Sequence, residues 1–241
     1  VRYFDKLIGA EEGRPAVVIC GGPSAPKQLE ELLPKLDNPV LISVNEHGCK
    51  YTKCDYAVSL DNIAHKMRDC DTVKLSPYNW ADVKLTGYWN ASNSGRTACW
   101  VAWKMGCSPV VIVGADLYRN GTYWWDRGAH SSGKNTKLEG HLREWAVLPN
   151  RVPPEILACA GGPLVDHEII QKFDGRRKYP QVDYKPPRVN GKSKAPEGQK
   201  IRITRSCWIE GQQFWVGEEP VVRPRSARKV IAAGKGEYVA Q

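Results

Sequence analysis

Residues Asn93 to Thr136 read NSGRTACWVAWKMGCSPVVIVGADLYRNGTYWWDRGAHSSGKNT. The small polar run Ser92-Asn93-Ser94-Gly95 opens a segment that Ala98, Trp100, Val101 and Ala102 make largely apolar. This predicts a buried, central helix from Arg96 to Met105, ended by Gly106. Pro109 to Val113 is then a continuous apolar run, the pattern of a strand covered on both faces. Gly114-Ala115-Asp116 breaks that strand at its carboxyl end, and a loop dense in Tyr, Trp, Asp, Arg and His follows. Ligands of open α/β sheets sit just beyond the carboxyl ends of strands, so the functional site is expected here.

The flanking segments repeat the same alternation. Ala16 to Cys20 reads as a buried strand, followed by Gly21-Gly22-Pro23-Ser24 and a helix spaced by Leu29, Leu32, Leu33 and Leu36. Ser24 suits the N-cap and Pro26 an early helical position. Such a glycine turn lets a phosphate approach backbone amides at a helix start, although a tight turn without ligand has the same sequence. Val40 to Val44 is a second buried strand, ending at Asn45-Glu46-His47, a cluster suited to ribose or phosphate contacts. Asp55 to Leu60 and Thr72 to Leu75 read as further strands; His65 reads as a surface histidine, and His47 either as another or as part of that polar cluster. Residues 76–93 form a long aromatic loop. Leu138, Leu142, Trp145 and Ala146 mark an amphipathic helix ended by prolines. Ile156 to Ala160 is another strand, and a helix from Leu164 to about Phe173 closes the domain. The expected architecture is an α/β, Rossmann-like, doubly wound and mostly parallel sheet over residues 1–173. A basic Pro/Gly-rich linker over 174–200 and a small basic β-rich module over 201–241 follow.

Composition narrows the class. At 241 residues with 41% hydrophobic residues the chain can bury one good core. No apolar run is long enough to span a bilayer, and the first residues lack a signal-peptide core, so a cytoplasmic protein without membrane contact is expected. None of the eight cysteines has C-x-x-C spacing. They read as buried small side chains in a reducing compartment, and no second ligand pair supports a metal site at Cys49 and Cys54. Residues 1–170 carry 19 basic and 19 acidic side chains, whereas 171–241 carry 16 and 7, so the whole net charge of +9 lies in the last part. Such a tail attracts phosphate-rich partners such as DNA, or is a solvated face.

The central loop holds Asp116, Tyr118, Arg119, Asn120, Tyr123, Asp126, Arg127, His130, Lys134 and Asn135. His130 suits a general base, and Arg127 with Tyr118 and Tyr123 suits charge developing on a departing phosphate. The alternative for His130 is a loop histidine capping the next helix. With Gly21, Gly22, Ser24, Asn45, Ser94, Asp116 and Asn120 on the donor side, the set points to transfer from a nucleotide-activated donor to an acceptor hydroxyl. No separate cofactor is expected, the nucleotide-sugar being a co-substrate.

The order of these motifs resembles the bacterial family 42 sialyltransferases. It is also similar to the wider superfamily of motility accessory glycosyltransferases and archaeal 6-hydroxymethylpterin diphosphokinase-like proteins. The resemblance covers roughly residues 16–165 and is most specific in G-A-D-L-Y-R-N-G-T-Y-W-W-D and H-S-S-G-K-N-T, Gly114 to Thr136. It implies His130 as base, Asn45 and Ser94 as donor contacts, Tyr118 and Tyr123 beside the phosphate, and no metal. Gly21 stands where the family has Asn, Arg127 where it has Tyr, and the histidine motif carries two extra residues. These departures bear on CMP-sialic acid more than on nucleotide-dependent transfer. The last 40 or so residues resemble short modules of tailed-phage and prophage proteins. Together these imply a phage-type glycosyltransferase, acting on a hydroxylated DNA base or on a glycan. The alternative is a non-catalytic phage assembly or DNA-binding accessory protein. A diphosphokinase would need ATP, magnesium and an acidic pair that the sequence lacks. The sugar, the acceptor and the oligomeric state stay open.

Overall fold

The computed structural model describes residues 2–85, 93–117 and 138–181, and beyond them 199–204, 207–209, 212–214, 221–222, 231 and 236–238. Internal packing divides the chain into two units, Val1–Tyr184 and Lys185–Gln241. The strands of the first are β1 (Arg2–Tyr3), β2 (Ala16–Ile19), β3 (Val40–Val44), β4 (Tyr56–Val58), β5 (Val73–Ser76), β6 (Val83–Lys84), β7 (Val110–Val113) and β8 (Leu157–Cys159). They form one eight-stranded sheet in the order β1-β6-β5-β4-β3-β2-β7-β8. Every neighbouring pair is parallel. The expected doubly wound α/β architecture is therefore present.

Alternation along the central strands divides the core. Helix α2 (Ser94–Lys104) covers one face, where Ala98, Cys99, Val101, Ala102 and Met105 meet Val18, Ile42, Val58, Val110 and Ile112. Helix α1 (Ala25–Leu32) covers the other, where Leu29 and Leu32 meet Val17, Ile19, Val111 and Val113. Neighbouring residues of one strand point to opposite faces, so a run such as Val110–Val113 must be apolar throughout to lie between two helices. All four of its residues are buried.

Several expectations are corrected. The helix expected from Leu164 to about Phe173 is the single turn α4, Pro163–Asp166. The chain then reverses through Glu168 at φ 56°, and the Ile169 and Ile170 amides both donate to the Leu164 carbonyl at 3.0 Å. Gln171 to Phe173 returns beside β8: the Cys159 amide donates to Gln171 O at 2.9 Å and the Phe173 amide to Cys159 O at 2.8 Å. Covering that edge satisfies backbone groups that a longer helix would leave unpaired. The aromatic stretch 76–93 contains a strand, β6, which pairs with the unforeseen β1. Residues 174–181, assigned to the linker by composition, pack on the first unit. There Tyr179 stacks on Phe173 with ring centroids 5.9 Å apart, and Ser108 Oγ donates to the Pro180 carbonyl at 2.5 Å. Of the two histidines, His47 is buried, which removes its surface reading, and His65 is exposed as expected.

The described strands of the second unit are antiparallel. β9 (Gln199–Ile203) lies between β12 (Val221–Val222) and β13 (Gly236–Tyr238), and β10 (Cys207–Ile209) pairs with β11 (Gln212–Phe214). Arg202 and Glu237 face each other across β9 and β13, with Nη1 and Oε1 3.6 Å apart.

Candidate functional site

The strand order reverses at β2: β3 to β6 are laid down to one side of it, β7 and β8 to the other. At such a switch point the connections leave in opposite directions and open a crevice at the carboxyl ends. A crevice of about 330 Å³ lies there. Its lining comes from the ends of β2 (Cys20 to Pro23), β3 (Val44, Asn45, His47) and β7 (Gly114 to Leu117), together with Leu60 and Asp61 after β4. The start of α2 (Asn93 to Gly95) and one face of α3 (Leu138–Trp145), with His141, Glu144 and Trp145, complete it.

The glycine turn is built around Asp116. The carboxylate Oδ2 accepts from the Ser24 amide at 2.9 Å and from Ser24 Oγ at 2.8 Å. A Cβ on Gly22 would collide with that carboxylate and with the Gly114 carbonyl. The Gly22 amide donates to the same carbonyl at 2.8 Å. Gly114 itself has φ 66°, which favours glycine, and its amide donates to Gln28 Oε1 at 2.8 Å. Ser24 therefore does not cap α1 with its own side chain, as its sequence position predicts. An acidic residue 92 positions away fills the helix start where a phosphate was expected.

The start of α2 is arranged locally. Asn93 Oδ1 accepts from the Gly95 amide at 2.8 Å and the Arg96 amide at 3.3 Å. Ser94 Oγ accepts from the Leu60 amide at 3.0 Å, tying α2 to the turn after β4. Gly95 lets Trp145 lie against the helix, since an added Cβ would stand 3.0 Å from its ring. Arg96 is buried, which lowers its pKa, and Nη1 donates to the Glu144 carbonyl at 2.5 Å.

Asn45 ends β3 in the left-handed region, φ 53°, a conformation Asn tolerates better than most residues. Its carbonyl accepts from Ser43 Oγ at 2.8 Å and its Nδ2 donates to Asp61 Oδ2 at 3.3 Å. Its Oδ1 is buried with no hydrogen-bond partner among the described residues. A buried acceptor of this kind on a crevice wall is a natural contact for a donor group of a ligand. His141 Nδ1 and Glu144 Oε2, on the α3 wall, are 3.9 Å apart.

Among the expected site residues, Gly21, Gly22, Asn45, Ser94 and Asp116 line this crevice and Ser24 borders it through Asp116. Tyr118, Asn120, Tyr123, Arg127 and His130 lie outside the described residues. Sequence reasoning passed over Asp61, His141 and Glu144 as crevice residues, whereas His47 belongs to the polar cluster expected at the end of β3. The spacing of His141 and Glu144 beside the apolar Leu142 and Trp145 was the available signal for the last two. The described wall carries the carboxylates Asp61, Asp116 and Glu144 and no lysine or arginine.

Fold and crevice thus define a parallel, doubly wound α/β unit with a switch-point site. Comparison with family models, with curated proteins and with solved structures finds no match. No described helix is long and apolar enough to cross a membrane.

Proposed function

We propose that the first unit binds a nucleotide-activated sugar in the switch-point crevice and transfers the sugar to an acceptor hydroxyl. The observation that carries this reading is the convergence of Gly21, Gly22, Asn45, Ser94 and Asp116 from four separate segments on one crevice. Asn45 Oδ1, without a partner among the described residues, and the Asp61 carboxylate beside it suit the donor groups of a base or ribose. Asp116 holds the start of α1, so the donor phosphate belongs away from that helix. The cations to face it are carried in sequence by Arg119, Arg127 and Lys134. In this mechanism His130 takes the proton of the acceptor hydroxyl as its oxygen attacks the anomeric carbon, and the nucleotide leaves with the bonding pair. Arg127, Tyr118 and Tyr123 stabilise the charge on the leaving phosphate.

The basic last 71 residues favour DNA bearing a hydroxylated base as acceptor, with binding that weakens steeply as salt rises. One observation favours a second reading, a non-catalytic phage-type accessory protein: a carboxylate occupies the helix start where a phosphate site was expected.

Thermal shift with CMP, UDP and GDP separates the two, because a ligand bound by the native state raises the midpoint. The transferase reading expects a rise with at least one of them, cut at least tenfold in apparent affinity by Asn45→Gly, which keeps the left-handed backbone accessible. No rise with any nucleotide favours the accessory protein. Nucleoside analysis of hydroxymethylated DNA after incubation with pooled nucleotide sugars tests the acceptor. His130→Ala is expected to bind nucleotide and lose transfer; retained turnover removes His130 from the mechanism.

A further inference from the structure

Away from the crevice wall, three cysteines from separate turns meet. Cys49 sits on the short helical turn Gly48–Lys50 after β3. The Gly48 and Cys49 amides donate to Ser43 Oγ at 2.8 and 3.3 Å, which holds the turn against the end of the strand. Cys49 packs against two apolar clusters at once, one containing Cys54 with Leu29 and Leu32, the other containing Cys70 with Ala57 and Met67. The Cys54 sulfur lies beside the same turn, where a Cβ added to Gly48 would stand 3.2 Å from it. Cys54 and Cys70 are 3% and 4% exposed, whereas Cys49 is only half-buried, so a small reagent meets Cys49 first.

We infer that Cys49 is a peroxide-reactive thiol that its neighbours Cys54 or Cys70 resolve into an intrachain disulfide. The Cys49 sulfur attacks one oxygen of hydrogen peroxide, the O–O bond breaks, and hydroxide leaves. The sulfur is thereby oxidised to a sulfenic acid and the peroxide reduced. The neighbouring thiol then attacks the Cys49 sulfur, the S–O bond breaks, and water leaves with the neighbour's proton. A disulfide remains, which a dithiol reductant reverses.

Electrostatics favours the same residue. The neighbouring Cys54 and Cys70 thiols, with the Lys74 charge nearby, pull the Cys49 thiol well below the ordinary cysteine range. The reciprocal interaction pushes Cys54 and Cys70 up, keeping them as proton donors. Burial pushes up Cys20 and Cys99 as well, Cys107 to about 12 and Cys159 to about 11, so these stay as unreactive thiols.

The test uses the full, reduced chain. Dimedone present during hydrogen peroxide treatment is expected to label Cys49. Without dimedone, peptide mass spectrometry is expected to find Cys49 joined to Cys54 or Cys70. Alkylation of Cys49 by iodoacetamide should proceed at pH 6, where an ordinary thiol of pKa about 8.5 is roughly 0.3% ionised. Cys49→Ser should abolish adduct and disulfide; Cys54→Ala and Cys70→Ala should each keep the adduct. Preferential labelling of another cysteine of the first unit overturns the inference, as does a Cys54–Cys70 disulfide formed in Cys49→Ser. Alkylation of Cys49 with the pH profile of an ordinary thiol does so too, on the unmutated chain.

Discussion

Helices α1 and α2 both begin at the rim of one crevice, and acceptors of different origin hold the backbone where each begins. At α2 the acceptor is Asn93, the residue immediately before the helix. At α1 it is Asp116, which arrives from the end of β7, while Ser24 at the cap position turns its hydroxyl into a donor. The local cap depends on the residue type at one position and survives in any fold that contains the helix. The distant cap exists only because β2 and β7 are adjacent parallel strands, in register from Ala16–Val110 to Ile19–Val113. It couples the glycine turn to the loop after β7, so one carboxylate fixes two walls of the crevice.

That contrast can be tested by substitution, with stability read by urea denaturation. The largest effect is expected for Gly22→Ala, about 3 kcal/mol, because the new methyl overlaps a carboxylate and a backbone carbonyl that cannot both move away. Asp116→Ala should cost about 2 kcal/mol by leaving the Ser24 amide and hydroxyl without their charged acceptor. Combined with Gly22→Ala it should cost less than the sum, since one clash is gone. Ser24→Asp exchanges one good local cap for another, yet is expected to cost roughly 2 kcal/mol at pH 7, where two carboxylates would meet without the lost hydroxyl. The matched exchange Asn93→Asp should be nearly neutral. Equal outcomes at the two positions would mean that Asp116 does not serve α1. Asn93→Ala should cost about 1 kcal/mol, the ordinary loss of an N-cap. Ser94→Ala, which strands the Leu60 amide, is expected to cost about the same or less.

The crevice shows the same division between near and far. Asn45, Ser94 and the two glycines were readable because each ends a strand or starts a helix whose apolar run is plain in the sequence. Of the two readings of His47 the surface one failed, because its neighbours Glu46 and Gly48 look like a surface turn. The fold nevertheless draws Glu46 in as well, with its carboxylate 3.8 Å from Lys50 Nζ. His141 and Glu144 reach the crevice because α3 packs Trp145 against Gly95, a contact between residues 50 apart that no local pattern encodes. The overlong α4 failed for a related reason: Val165 and Ile169 are four apart, as on one face of a helix, but the open edge of β8 draws the following residues alongside it.

Strand runs, helix spacing and turn residues were sufficient for the architecture of the first unit, because a strand buried on both faces must be apolar at every position. They also placed the ends of β2, β3 and β7, where the crevice lies. The role of each group there came only from the packed chain. A carboxylate expected to face a ligand instead holds a helix, a glycine expected to admit a phosphate instead admits that carboxylate, and Cys49 bridges the two clusters that hold Cys54 and Cys70. Local sequence carries propensity and periodicity, whereas hydrogen-bond partners across a parallel sheet follow from strand order and register, which form only when the whole sheet assembles.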